Sequence, residues 1–164
     1  MSRSTDISIA TFTGHRSYDG EANEALRTTI DALYDEGVRT FRVGMAEGFD
    51  LAAAEAVVAL RNRVGDVVVE AIVPWPAFAS RFGVRARAIY DAVIATADIV
   101  RYADSAYHPM IFHRRNDMLV EGADVVVAWY DGSKGGTDYT VRRARRLGCR
   151  IINLRPSEQL SIVF

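Results

Sequence analysis

Short runs of β-branched and apolar residues alternate along the chain with longer, alanine-rich stretches of helical period. Ile7–Thr13 reads as a first strand. Glu21–Glu36 reads as a helix whose Ala25, Leu26, Ile30, Leu33 and Tyr34 follow the three-and-four spacing of one buried face. Gly37 stands where a C-terminal cap belongs. Thr40–Val43 predicts a second strand, and Leu51–Arg63 a helix with Asp50 as its N-cap. Val67–Val73 is apolar throughout except for Glu70, the pattern of a strand in a sheet covered on both faces; Pro74 and Pro76 end it. Ala77–Ala97 reads as helix in two pieces around Gly83, and Ile99–Tyr102 as a short fourth strand. Pro109–Gly122 predicts a helix opening on a proline, Asp124–Tyr130 a strongly apolar fifth strand, Thr137–Leu147 a last helix and Arg150–Leu154 a last strand.

This strict alternation of strand and helix predicts parallel strands, right-handed crossovers and one doubly wound α/β sheet of about six strands. No repeat, linker or low-complexity tract interrupts it, so residues 1–164 read as a single domain with its core at about 7–154. In open α/β sheets, ligands bind beyond the carboxyl ends of the strands. The distinctive residues of this chain fall in those loops.

Composition narrows the function classes. The chain has 164 residues, 49% hydrophobic and 25% charged, which excludes a disordered or low-complexity protein. Net charge is −1, whereas a protein holding nucleic acid by bulk electrostatics is more basic. A single cysteine, Cys149, excludes an intrachain disulfide framework and a multi-cysteine zinc site, and its helix-to-strand position reads as buried, not nucleophilic. His15, His108 and His113 lack metal-ligand spacing, and no motif asks for a metal or a cofactor. The polar N-terminus carries no signal-peptide core, and no apolar run approaches the ~20 residues needed to span a bilayer, so the expected compartment is the cytoplasm with no membrane partner. Lys134 is the only lysine, so cationic contacts fall to planar, bidentate guanidinium groups.

Three loops hold candidate chemistry. In Thr13-Gly14-His15-Arg16, glycine permits close backbone approach, Arg16 suits a phosphate and His15 a base or ribose; the alternative is a plain turn with two solvated side chains. In Gly44–Asp50, Asp50 reads first as a helix cap, while Asp50 or Glu47 bonding a ribose hydroxyl is the functional alternative. In Asp131–Thr137, Gly135, Gly136 and the Thr137 amide form a potential phosphate cradle at a helix N-terminus, without the Walker A ending or a dinucleotide fingerprint. Arg114-Arg115-Asn116 and Arg142–Arg146 read as solvated helix faces. Trp75, between two prolines, suits stacking on a base, plugging a pocket or a dimer contact.

Taken in order, Thr13-Gly14-His15-Arg16, Gly44–Asp50 with Ala53-Ala54-Glu55, Arg115-Asn116, Asp124–Tyr130, and Asp131-Gly132 with Gly135-Gly136-Thr137 resemble the YpsA-like proteins of the SLOG superfamily. That superfamily also includes the DNA-processing protein DprA and the Lonely guy enzymes. The resemblance covers about residues 7 to 154 and implies a Rossmann-like sheet, a pocket over the strand ends, a nucleotide or ADP-ribose-like ligand and a homo-oligomer. The Lonely guy hydrolases carry Pro-Gly-Gly-x-Gly-Thr-x-x-Glu; aligned on Gly136-Thr137, this chain has Thr140 where the glutamate stands, and Asn116 follows Arg115 where that family has lysine. Asp138, about 200° around a helix from that position, is no direct substitute.

Three functions follow for test. The first is a binding or sensing module: Gly14, Gly135, Gly136 and Thr137 hold phosphate by backbone amides, Arg16 and Arg115 pair with its charge, and His15, Gly44 and Asn116 complete the pocket. Asp50 or Glu47 then bonds ribose and Trp75 the base. The second is a nucleotide N-glycosidase or phosphoribohydrolase with a relocated acid, for which Glu47, Asp50 and Arg115 are the catalytic candidates. The third is DprA-like binding of single-stranded DNA on the Arg142–Arg146 face.

Overall fold

The computed structural model describes residues 8–155. β1 (Ile9–Gly14) leads through α1 (Asn23–Asp35) to β2 (Thr40–Val43), and α2 (Phe49–Val64) leads to β3 (Val68–Val73). A short 3-10 turn, Phe78–Arg81, precedes α3 (Val84–Thr96), so the expected break at Gly83 is present. β4 (Ile99–Tyr102), α4 (Ile111–Val120), β5 (Val125–Trp129), α5 (Gly136–Arg146) and β6 (Arg150–Asn153) complete the chain. The expected first strand began at Ile7, which lies outside the described residues.

All six strands are parallel, in the order β4-β3-β2-β1-β5-β6, giving a Rossmann-like α/β fold. The chain winds outward from β1 to β4, then α4 carries it back across the sheet to β5 on the other side of β1. That reversal places the topological switch point between β1 and β5, where open α/β sheets bind ligands.

The helices form two layers. α1, α2 and α3 pack side by side over one face, with Leu26, Ile30, Leu33, Phe49, Val57 and Leu60 buried against Phe12, Phe41 and Val69. α4 and α5 cover the other face, where Leu119 and Val120 of α4 and Ala144 of α5 pack with Ile72 and Val126 of the sheet. Burial of such side chains at roughly 1.5–3 kcal/mol each supplies the driving force. Among the described residues no helix is long and apolar enough to cross a membrane.

Polar residues in the sheet have structural partners. Glu70 breaks the apolar run of β3 because it sits between two arginines: Arg42 Nε donates at 3.2 Å and Arg101 Nη1 at 2.9 Å. Arg42 also donates to the carbonyls of Met118, Leu119 and Glu121, closing the C-terminal end of α4. Asp124, just before β5, accepts the amides of Ser8 and Ile9 at 2.9 and 3.0 Å. Asp98, just before β4, accepts Val69 N–H at 2.8 Å by the same device. Cys149 is partly buried; its thiol donates to Ala123 O at 3.2 Å, and burial pushes its pKa up.

Candidate functional site

A cavity of about 490 Å³ opens over the carboxyl ends of β1 and β5. Beneath it, two glycines allow close approach between the loops after β1 and β2. A Cβ on Gly14 would lie 2.5 Å from the Phe49 side chain, so this glycine seats the first residue of α2 against the end of β1. Gly48 has φ +88°, and a Cβ there would lie 2.5 Å from the Arg16 carbonyl oxygen. Both glycines serve close packing between the first two loops.

That packing buries Asp50. The expected N-cap role is corrected: α2 begins at Phe49, Gly48 occupies the cap, and Asp50 lies inside the first turn. Its Oδ2 accepts Ala46 N–H at 3.3 Å. Desolvation raises its pKa to about 6 against the opposing pull of Arg115, the Ala46 amide and Arg16. A carboxyl with such a shift in a cleft is a functional-site candidate on physical grounds.

Arg115 lies on the same floor, only 6% exposed, whereas its neighbour Arg114 is exposed. The reading of both as a solvated face therefore holds for Arg114 and fails for Arg115. Nε of Arg115 donates to Asn116 Oδ1 at 2.9 Å and Nη1 to Gly44 O at 2.6 Å. Nη2 has no hydrogen-bond partner among the described residues. Burial lowers its pKa and Asp50 opposes the shift, yet a guanidinium stays charged in either case. The outcome is a fixed cation with one edge of its fork unspent.

Opposite stands the N-terminus of α5. Gly135 takes φ 150° and ψ −161°, a backbone region reserved for glycine, and no side chain caps the helix. The first amides of a helix have no intrahelical acceptor, so Gly136 and Thr137 present N–H groups and the positive end of the helix dipole to the cleft. Asn116 Nδ2 faces Gly136 across it.

The rim is polar and aromatic. His15 Nε2 stands 2.9 Å from Asp131 Oδ1, an ion pair when the imidazole is protonated, and accepts Asp131 N–H at 3.1 Å when it is not. Asp131 is lowered to about 2, first by the Ser133 hydroxyl and amide, then by His15 and Arg155. Arg16 is exposed, its guanidinium 5.8 Å from the centroid of the Phe112 ring, with no carboxylate partner among the described residues.

Residues 5–150 match the YspA SLOG family. The chain belongs to that family. It is 26% identical over 129 residues to a UPF0398 protein of Bacillus velezensis, covering 75% of this chain and 69% of the relative. To the UPF0398 protein YpsA of Bacillus subtilis it is 28% identical over 119 residues, covering 70% and 64%. Among solved structures, the DNA processing protein A of Streptococcus pneumoniae superposes with a TM-score of 0.67 at 19% identity, over 88% of this chain and 49% of that one. That of Helicobacter pylori, whose structure is described for its mode of binding single-stranded DNA, gives 0.67 at 15% identity, over 89% and 64%. At these identities the likeness shows the fold. The chain spans about half the length of the Streptococcus protein.

Within this SLOG fold, nine of the residues singled out from sequence meet in the cleft: Gly14, His15, Arg16, Asp50, Arg115, Asn116, Gly135, Gly136 and Thr137. Three do not. Gly44 lies beneath it, where a Cβ would come 2.8 Å from Asp50 Oδ2. Glu47 lines a separate cavity of about 480 Å³ with Tyr18, Asn23, Glu55 and Arg85, because the turn at Gly48 sends it the other way from Asp50. Trp75 sits one layer back, edge-on to Phe112 at 5.9 Å and packed on Phe78 and Tyr107. Thr140, at the Lonely guy glutamate position, is fully buried and spends its hydroxyl on Gly136 O at 2.9 Å. Asp138 is nearly buried and is engaged by the Tyr130 hydroxyl and Arg142. Sequence reasoning missed Phe112 and His113; Phe112, Arg115, Asn116 and Leu119 form an i, i+3, i+4, i+7 stripe that marks the cleft-facing side of α4.

Proposed function

We propose that the protein binds a nucleotide or an ADP-ribose-like nucleotide derivative in this cleft, as a sensing or regulatory module. The observation that carries the reading is Arg115: a buried guanidinium, locked by Asn116 and Gly44, with Nη2 unspent and the uncapped amides of α5 lining the same cavity. A fixed fork and free helix amides are complementary to phosphate oxygens. Arg16, exposed at the mouth, adds a second cation.

The test is thermal-shift screening against AMP, ADP, ADP-ribose, cyclic nucleotides and ribose 5-phosphate, with chromatography of each mixture afterwards. Ligand at 100 times its Kd stabilises by about 2.7 kcal/mol. A shift with intact ligand supports the module; no shift from any of them refutes it.

One observation favours hydrolysis of an N-glycosidic bond as the second reading: Asp50, raised to about 6, is a carboxyl able to hold or give up a proton near neutrality. It then takes the acid role that Thr140 lacks. Free base in the chromatogram, absent for Asp50→Asn, would establish that reading. The single-stranded DNA reading has less support. Arg142 is bonded to Asp138 and Arg143 lies 3.6 Å from Asp117, so two of the four arginines on that face already have carboxylate partners.

A further inference from the structure

The cleft has a charged floor, and its rim carries an aromatic pair that the phosphate reading leaves without a task. His113 of α4 and Tyr139 of α5 stack face to face, with ring centroids 4.3 Å apart and planes 8° from parallel. Tyr139 is held from behind: its hydroxyl donates to Asp117 Oδ1 at 2.8 Å, and Arg143 approaches the same carboxylate at 3.6 Å. His113 lines the cleft and Tyr139 does not; Tyr139 covers one face of the imidazole, and the other face has no aromatic partner among the described residues.

The other two aromatic side chains that line the cleft, His15 and Phe112, are engaged, His15 by Asp131 at its Nε2. Arg16 lies over the Phe112 ring, and Trp75, Phe78 and Tyr107 crowd Phe112 edge-on. Trp75 itself does not reach the cavity. An exposed imidazole that is backed by a second ring, and whose backing ring is pinned by a carboxylate, is a rigid surface of the kind on which planar heterocycles stack.

We infer that His113, supported by Tyr139, is the surface on which the base of the bound nucleotide rests. The inference rests on the nucleotide reading of the cleft and assigns it a preference for base-bearing ligands over bare sugar phosphates. Depth sets the orientation. Arg115 is 6% exposed and His113 is exposed, so the anionic end goes to the floor and the planar end stays at the rim.

The experiment measures the affinity of AMP and of ribose 5-phosphate by calorimetry for the wild type, His113→Ala, His113→Phe and Arg115→Ala. Loss of one base-stacking partner weakens binding by about fivefold or more. The expected result is that His113→Ala loses at least that factor for AMP, keeps its affinity for ribose 5-phosphate, and is rescued by His113→Phe. Equal affinities of wild type for the two ligands overturn the stacking surface while sparing the cleft. So does an equal loss of both in His113→Ala. If Arg115→Ala leaves both affinities unchanged, or if neither ligand binds the wild type, the cleft reading falls and the stacking surface falls with it.

Discussion

Replacing Asp50 with asparagine should stabilise the protein at neutral pH. The carboxyl is buried, its ionised form is disfavoured by desolvation, and its pKa stands at about 6 against the usual 3.8. That difference corresponds to about 3 kcal/mol between protonation states. It already includes the attraction of Arg115 and Arg16, which acts in the opposite direction. Asparagine keeps an oxygen for the Ala46 amide and carries no charge. The sign follows from linkage. The folded state holds this proton more tightly than the unfolded chain, so Asp50 protonation supports folding below about pH 4 and that support is lost as pH rises through about 6. Urea unfolding at pH 7.5 should therefore show Asp50→Asn more stable than wild type by up to about 3 kcal/mol, equivalent to about 6–12 °C in Tm for a chain of this size. At pH 4 the two curves should converge. An asparagine variant less stable than wild type at pH 7.5, or a gap that stays constant from pH 4 to 7.5, would refute the argument. A buried carboxyl whose ionised form costs stability is on that ground a functional-site candidate.

The two arginines of the cleft should separate. Arg16→Ala is expected to weaken nucleotide binding with a change in unfolding free energy below about 0.5 kcal/mol, since Arg16 has no ion-pair partner among the described residues. Arg115→Ala should lose binding and also destabilise, by about 1–3 kcal/mol, because the Gly44 carbonyl loses its donor; equal behaviour of the two variants in urea would contradict this. Gly48→Ala should cost about 1–3 kcal/mol from its positive φ, with more from the clash at the Arg16 carbonyl, and an unchanged Tm would show that the loop relaxes freely. Arg42→Met should cost about 3 kcal/mol, because Glu70 is left nearly buried with Arg101 alone and three carbonyls of α4 lose their donor. A loss below about 1 kcal/mol in urea would mean that Arg101 suffices.

The architecture was legible because hydrophobic period and strand-helix alternation are local properties. Val67–Val73 and Asp124–Tyr130 announced buried strands, and β3 and β5 lie inside those ranges. Gly83 marked the break between the 3-10 turn and α3. The candidate site was legible where the loop itself carried the signal, as in Gly135-Gly136-Thr137, which line the cleft. It was illegible where direction depended on packing from elsewhere. Asp50 resembled a cap, and only the close approach of Gly48 to Arg16 shows that the helix begins two residues earlier and turns the carboxyl inward. Glu47, three residues away, faces a different cavity for the same reason. Trp75, between two prolines at a strand end, suited stacking on a base, plugging a pocket or a dimer contact alike, and it is the tertiary cluster around Phe112 that takes it. His113 gave no local signal, since its partner Tyr139 lies on another helix.

The order of the strands also dictates how the chain must assemble. β1 is an inner strand, but its two neighbours come from distant parts of the sequence. β2 begins with Thr40, the partner of Ile9, whereas the partner of Ala10 on the other side is Val125. The Asp124 carboxylate that receives the Ile9 amide lies 115 residues away. During synthesis, β1 to β4 can zip together in sequence as they emerge, each beside its predecessor. Until residue 125 arrives, one flank of the future central strand remains an open row of amide and carbonyl groups, and such a flank is a template for pairing with a wrong chain. At roughly 5–20 residues per second, that exposure lasts several seconds for every molecule made. The same reversal that creates the cleft thus leaves the middle of the sheet open until β5 arrives, with only β6 at the edge still to be added.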